Sequence, residues 1–298
     1  YSRAFRRLQK DAIAKTIMLV GQKKLEETFK RLVKSDKLSH GYIFFGEPQV
    51  GKYSFALSLA AFLEKGELEE VETVNGFPKH MLEELLIIKP TDGAIGIDAV
   101  RELKHFLAQK PVKSKSRVAI LDDAHMLTSQ AENAILKIGE EPPAQSLIIL
   151  IVPSVDSLMR TLQSRFQKIY FQRSSAEEIS KMLEDKYGIE SKRAKDIAKL
   201  SLGRPGRAVA FLNDEKAKER FRTVVALLSG KVSKHDVLES VTENDVELYL
   251  LLTEIIAKLA NDPIKNYDIL WSITERITAM SQFTVNKRLQ AETAIWTI

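Results

Sequence analysis

The residues best equipped for chemistry in this chain cluster in one loop. Gly46-Glu47-Pro48-Gln49-Val50-Gly51-Lys52 has the spacing G-x-x-x-x-G-K of a phosphate-binding loop. In such a loop the glycines let backbone N–H groups face phosphate oxygens, and the lysine reaches the outer phosphates. The helix that the loop opens adds partial positive charge at its N-terminus. The pattern breaks at its last position: where Ser or Thr would ligate magnesium, the chain has Tyr53. A phenol oxygen lies several Å farther from the backbone than a serine hydroxyl and cannot take its place. Ser54 is no substitute, because one step along a helix turns the side chain by about 100°. A second group is Asp122-Asp123, at the end of the apolar run Arg117–Leu121. In ATP-hydrolysing sites built on this loop, the first such acid holds magnesium and the second polarises the attacking water. Gly46, Gly51, Lys52, Ser54, Asp122 and Asp123 therefore form a candidate nucleotide site of degenerate type. Taken without its surroundings, an acidic pair like this is also what any exposed strand end can carry.

These groups need a strand before each and a helix after the loop, and the hydrophobic pattern supplies them. Gly41–Phe45 reads as a buried strand, and Ser54–Leu63, apolar at Phe55, Leu57, Leu59, Phe62 and Leu63, as a largely buried helix. Leu85–Ile88, Arg117–Leu121, Ser146–Val152 and Lys168–Phe171 read as further strands. Between them, Asp98 is expected to cap a helix over Ala99–Gln109, and Ser129 with Glu132 forms a capping-box pattern for a helix over Ser129–Ile138. Glu64–Glu84 is acidic and irregular, with Asn75-Gly76 and Pro78 as turn signals. Strands alternating with helices imply an α/β domain with a mostly parallel sheet over residues 1–172. Two helices, Ser2–Leu19 and Lys23–Lys34, are expected ahead of the first strand. From Ser174 onward the spacing is helical. Ser175–Lys186, Ser191–Leu202 and Ala208–Phe211 make a small unit over 173–213, with Gly203-Arg204-Pro205-Gly206 as a helix-start turn. Phe221–Leu228, Val246–Ala260, Tyr267–Phe283 and Lys287–Thr297 make an all-helical domain over 214–298. There the stripes Leu248/Leu251/Leu252/Ile255/Ile256 and Leu270/Ile273/Ile277 fit helix packing.

The 298 residues contain no cysteine, so disulfides and thiolate metal sites are excluded. The five histidines have no metal-ligand spacing, and no metal site is expected; His125, beside the acids, reads as a structural residue of a strand-to-helix turn. No apolar run approaches the ~18 residues of a membrane span, and a cytoplasmic protein is expected. Residues 1–40 hold eleven Lys and Arg against four Asp and Glu, more surplus than the net charge of +5 over the whole chain. This segment could face nucleic acid or an acidic partner, or simply form solvated helix faces.

Longer stretches are more specific. Arg117–Thr128, Ala131-Glu132-Asn133-Ala134-Ile135-Leu136-Lys137 and Glu140-Glu141-Pro142-Pro143 resemble the bacterial DNA polymerase III clamp-loader AAA+ subunits. Those carry a strand ending in two acids and a helix reading roughly N-A-L-L-K-x-L-E-E-P-P. Gly21-Gln22 and Leu38-Ser39-His40-Gly41-Tyr42 are similar to the family's G-Q and L-S-H-A-Y ahead of the phosphate loop. Ile97-Asp98 with Arg101-Glu102-Leu103 resembles its I-D-x-I-R-E-L, Ser164-Arg165-Phe166 its S-R-C arginine-finger motif, and Asn286–Leu289 its closing helix. The resemblance covers about residues 18–298.

The resemblance implies an AAA+ domain, a helical lid and a helical collar domain. Its motor subunits, gamma or tau, hydrolyse ATP, whereas delta-prime keeps the fold, is usually catalytically silent and lends an arginine to its neighbour. Three departures favour the second kind: Tyr53; Val152-Pro153-Ser154 in place of a polar sensor; and Gly206 where the motor subunits carry a lid arginine, leaving Arg204 or Arg207 out of register. The family's four zinc-binding Cys are absent, with Glu64–Lys79 standing in that place, and no zinc is expected. Arg165 becomes the expected arginine finger, acting in trans, although on its own it reads as a surface arginine in a salt bridge. The implied partners are gamma/tau and delta subunits, the sliding clamp and primed DNA, with no membrane. ATP or ADP, weakly held at Lys52, is the one cofactor left open. The alternative expectation is an ATP-hydrolysing motor subunit or another AAA+ DNA remodeller.

Overall fold

The computed structural model describes residues 20–66, 71–74, 76–213, 215–241, 245–260, 262–282 and 286–298. The helix expected over Ser2–Leu19, and the basic residues within it, lie outside the described residues. The chain forms two compact units, one ending at Val209 and the other starting at Ala210.

The first unit is built on a five-stranded sheet. In chain order it contains α1 (Lys23–Lys34), β1 (Gly41–Phe45), α2 (Lys52–Lys65), the short pair β2 (Thr73–Val74) and β3 (Phe77–Pro78), β4 (Leu85–Ile88), α3 (Ile97–Ala108), β5 (Arg117–Leu121), α4 (Ser129–Glu140), β6 (Ser146–Val152), α5 (Arg160–Gln163), β7 (Gln167–Tyr170), α6 (Ala176–Tyr187), α7 (Ser191–Leu200) and α8 (Pro205–Asn213), which runs past the unit boundary. The sheet order is β4-β5-β6-β1-β7 and every pairing is parallel. The expected α/β class with a parallel sheet is thus what the chain forms. Alternation along the strands explains why both faces are covered. Tyr42, Phe44, Val118, Ile120, Leu147 and Ile149 point to one side, where they meet α1 and α2. Ile43, Ala119, Leu121, Ile148 and Leu150 point to the other, against α3 and α4. β6 is buried at all seven residues, as a central strand of a sheet covered on both faces must be.

Two expected caps move by a residue or two. α3 begins at Ile97 after Gly96, so Asp98 lies in the first turn and pairs with Arg101 rather than capping. Thr128, not Ser129, caps α4 by accepting the Ala131 N–H. Glu132 is thereby released from a capping box, and its carboxylate accepts the backbone N–H of Met159 instead. The acidic stretch Glu64–Glu84, expected to be irregular, contains the antiparallel pair β2–β3. Gly21-Gln22 has a mechanical role. The Gln22 amide donates to the Gln172 carbonyl at 3.0 Å, and a Cβ on Gly21 would lie 2.5 Å from Ser174 Oγ.

The second unit contains α9 (Glu215–Leu228), α10 (Lys234–Val241), α11 (Asp245–Leu259), α12 (Tyr267–Gln282) and α13 (Lys287–Thr297). Leu248, Leu251, Leu252, Ile255 and Ile273 are buried in its core, and Ile256, Leu270 and Ile277 pack partly against it, as the apolar stripes require. α10 is too short for a clear stripe; among the described residues Val237 and Leu238 are its buried apolar side chains. Among the described residues, no helix is long and apolar enough to cross a membrane.

Candidate functional site

The phosphate loop joins the C-terminal end of β1 to α2, whose N-cap is Gly51 in the left-handed region at φ 100°. Gly46, at φ 135°, has no room for a side chain: a Cβ there would lie 2.5 Å from the Phe171 carbonyl oxygen. The loop is also pinned to β6, because the Gly46 N–H donates to the Pro153 carbonyl at 3.2 Å. Ser154 is occupied elsewhere, its hydroxyl accepting from the Asp156 N–H.

Lys52 is buried and turned onto the loop itself. Its ammonium donates to the carbonyls of Gly46 at 2.5 Å and Glu47 at 2.7 Å. Burial lowers its pKa to about 8, against the opposing pull of Asp122, Asp123 and Glu47. The structure thus brings Lys52 and both acids to one edge of the sheet, where β1 and β5 end. Asp122 is held by its N–H to the Ile88 carbonyl at 2.9 Å, and Asp123 comes next in the left-handed region at φ 54°. Burial and then the Asp123 charge raise the Asp122 carboxyl; Lys89 leads the groups that pull it back down, ahead of Lys52.

The magnesium position does not fit a metal. The Tyr53 phenol, in the first turn of α2, donates to the Gly76 carbonyl at 2.5 Å, and its ring packs partly buried against the core. Burial, with the Asp122 charge, holds this phenol protonated far above the ordinary tyrosine range. Lys89, the residue after β4, puts its ammonium 3.9 Å from Asp122 Oδ2, 4.6 Å from the Tyr53 ring centroid and 3.1 Å from the Gly76 carbonyl. A cation already stands beside the acid that would hold the metal. Ser54 pairs with none of these groups.

Residues that follow the sheet also engage the loop. Arg173 donates twice to Glu47 Oε1, from Nε at 2.9 Å and Nη2 at 2.5 Å, while Arg204 Nε stands 4.0 Å from Glu47 Oε2. The Gly206 N–H donates to the Gln49 carbonyl at 3.0 Å. A Cβ on Gly206 would come within 3.0–3.3 Å of three Gln49 atoms, so the start of α8 rests directly on the loop.

Arg165 sits apart from all of this. β1 and β7 are parallel and Tyr42 pairs with Gln167, so Arg165 lies level with His40, before β1 begins. The His40 and Phe166 rings touch at 6.0 Å between centroids. The phosphate loop is at the other end of the same strand, on the order of 17 Å away at ~3.3 Å per residue. Arg165 is half-buried, with Nη2 2.6 Å from Glu140 Oε1 and Nη1 2.8 Å from the Thr161 carbonyl. Phe166 is buried behind it, and two glycines make the room. Cβ atoms on Gly41 and Gly139 would lie 2.4 Å and 2.8 Å from its ring. These are two positions where the resembling motifs read Ala and Leu, so the larger Phe and the smaller glycines compensate one another.

Sequence reasoning missed Glu47, Lys89, Arg173 and Glu140. Lys89 could have been found from its place just past the strand beside β5, since parallel neighbours end at the same edge. The Glu47–Arg173 and Arg165–Glu140 pairs depend on tertiary placement and leave no local signal.

Comparison with known proteins gives a consistent set. Residues 21–175 match the family model described as DNA polymerase III, delta subunit. The gamma/tau subunit of DNA polymerase III from Mycoplasma genitalium is 28% identical over 287 residues, covering 84% of this chain and 48% of that protein. The tau subunit from Bacillus subtilis is 28% identical over 167 residues, covering 54% of this chain and 30% of that protein. The chain thus spans about half or less of the length of these relatives. A gamma subunit-related protein of DNA polymerase III from Thermotoga maritima has a similar fold, with a TM-score of 0.52 at 21% identity, over 91% of this chain and 97% of that one.

Proposed function

The chain belongs to the bacterial DNA polymerase III clamp-loader AAA+ family, and from that premise we propose that it is a delta-prime-like subunit. In this reading it has no ATP hydrolysis of its own, donates Arg165 to the site of a neighbouring ATPase subunit, and supports loading of the sliding clamp onto primed DNA in the cytoplasm. Residues 1–172 are the AAA+ domain, 173–213 the lid and 214–298 the collar domain. Gamma/tau and delta subunits are its direct partners, and the clamp and DNA are reached through the complex.

The observation that carries this reading is the separation of the two sites. Arg165 lies at the opposite end of β1 from Lys52, so it cannot serve this chain's own loop. An arginine at the edge of one subunit is, however, where a neighbour's terminal phosphate can be met. Its planar fork binds phosphate oxygens in pairs and stays charged, and such fingers are worth ~10³–10⁵ in rate. Tyr53 and Lys89 in the metal position support the silent role.

A second reading, an ATP-hydrolysing motor subunit, is favoured by the gamma/tau names of the relatives. One experiment separates the two. Purified chain is given magnesium-ATP alone and after mixing with the other loader subunits. The proposal expects no turnover alone and a stable complex by size exclusion at micromolar concentration. Turnover by the isolated chain that Lys52→Ala abolishes establishes the motor reading, and failure to form a complex removes the delta-prime role.

A further inference from the structure

Two charged groups of the chain itself stand at the loop, Lys89 beside Asp122 and Glu47 against Arg173. Lys89 stands beside Asp122 at 3.9 Å, with the Tyr53 ring beneath its ammonium and the Gly76 carbonyl accepting from it. A divalent ion would need the carboxylate that Lys89 faces and a hydroxyl that Tyr53 does not offer. On the opposite side of the loop, the Glu47 carboxylate receives two donors from Arg173 and has Arg204 at 4.0 Å. Both arginines lie in the segment after the sheet, and a carboxylate satisfies the arginine fork as a phosphate oxygen pair does. Gly206 closes the remaining gap with its N–H on the Gln49 carbonyl.

We infer that the site is self-liganded: Lys89 takes the place of the divalent cation and Glu47 that of the outer phosphate, so the lid is held on the loop without nucleotide. The inference rests on the silent-subunit reading and adds the device that makes the lid independent of ATP. The carboxylate that Arg173 and Arg204 face is part of the chain and needs no bound ligand to be present. The effective concentration of Glu47 for Arg173 is set by the fold, and magnesium-ATP has to displace an ion pair and an ammonium to enter.

The test uses the full chain, followed by hydrogen exchange of the peptide containing Gly206 and by melting temperature, each with and without millimolar magnesium-ATP. The wild type is expected to show the same protection and the same melting temperature under both conditions. Glu47→Gln is expected to speed exchange of the Gly206 peptide about fivefold, the effect of losing a partly exposed ion pair. The double variant with Tyr53→Ser and Lys89→Ala opens the cation place and is expected to gain a magnesium-dependent rise in melting temperature with ATP. A magnesium-ATP response in the wild type without turnover overturns this inference while leaving the silent-subunit reading intact, whereas turnover breaks that reading itself. Unchanged exchange in Glu47→Gln, or a double variant as unresponsive as the wild type, also overturns it. A circular-dichroism melt of each variant separates these outcomes from loss of fold.

Discussion

The two ends of β1 carry the same kinds of group and treat them differently. At the C-terminal end, Lys52 is buried on its own loop carbonyls and Tyr53 is tied to Gly76, whereas the Glu47–Arg173 pair there is at least as exposed as the ion pair at the other end. At the N-terminal end, Arg165 is held by Glu140 and by one carbonyl, both side chains remaining about a third or more exposed. Buried polar ties are costly to break, because each group left behind loses its partner without regaining water. Exposed ion pairs are worth about 0–1 kcal/mol and exchange readily. In the proposed reading, the first end is closed by Lys52 and Tyr53, and the second can trade Glu140 for a stronger anion.

The largest expected effect belongs to Arg165. Arg165→Ala is expected to lower turnover at the neighbour's site by about 10³-fold or more while this chain stays folded and bound. The sharpest structural counterpart is Phe166→Ala. Deleting a buried aromatic that fills the space over Gly41 and Gly139 is expected to destabilise the first unit by about 3–5 kcal/mol, read by urea unfolding. A loss under 1 kcal/mol, on the order of a surface substitution, shows that the arginine turn has other support.

Tyr53→Phe tests the closed end. Removing the bond to Gly76 is expected to cost about 1 kcal/mol of stability and to leave ATPase activity absent. A gain of turnover from this change contradicts the closed site. The smallest effect is at Glu140. Glu140→Gln is expected to change stability by less than about 1 kcal/mol and to leave the loader's ATPase at or above the wild-type rate. A fall as deep as that of Arg165→Ala assigns Glu140 a part in the chemistry and erases the contrast between the two ends.

Much of the frame is legible in residue order. Gly41–Phe45, Arg117–Leu121 and Ser146–Val152 announce themselves as strands because each is an apolar run too short for a helix and ends at a turn or an acid. The degenerate loop is legible too, since Tyr53 departs from a fixed spacing. What fills the loop is not legible, because the meeting of Lys89 with Asp122 depends on β4 and β5 being neighbours. Glu47 likewise meets Arg173 across a separation of 126 residues. The cap of α4 fell on Thr128 because both it and Ser129 can accept from the backbone, and local spacing does not choose between them.

The most direct test sets the two ends of β1 against each other in one assay. Two loaders are assembled, one with Lys52→Ala and one with Arg165→Ala in this subunit, and their DNA-stimulated ATPase rates are compared with that of the unmodified loader. A silent loop and a donated arginine together predict an unchanged rate for Lys52→Ala and a large loss for Arg165→Ala. Loss with Lys52→Ala and an unchanged rate with Arg165→Ala would contradict both.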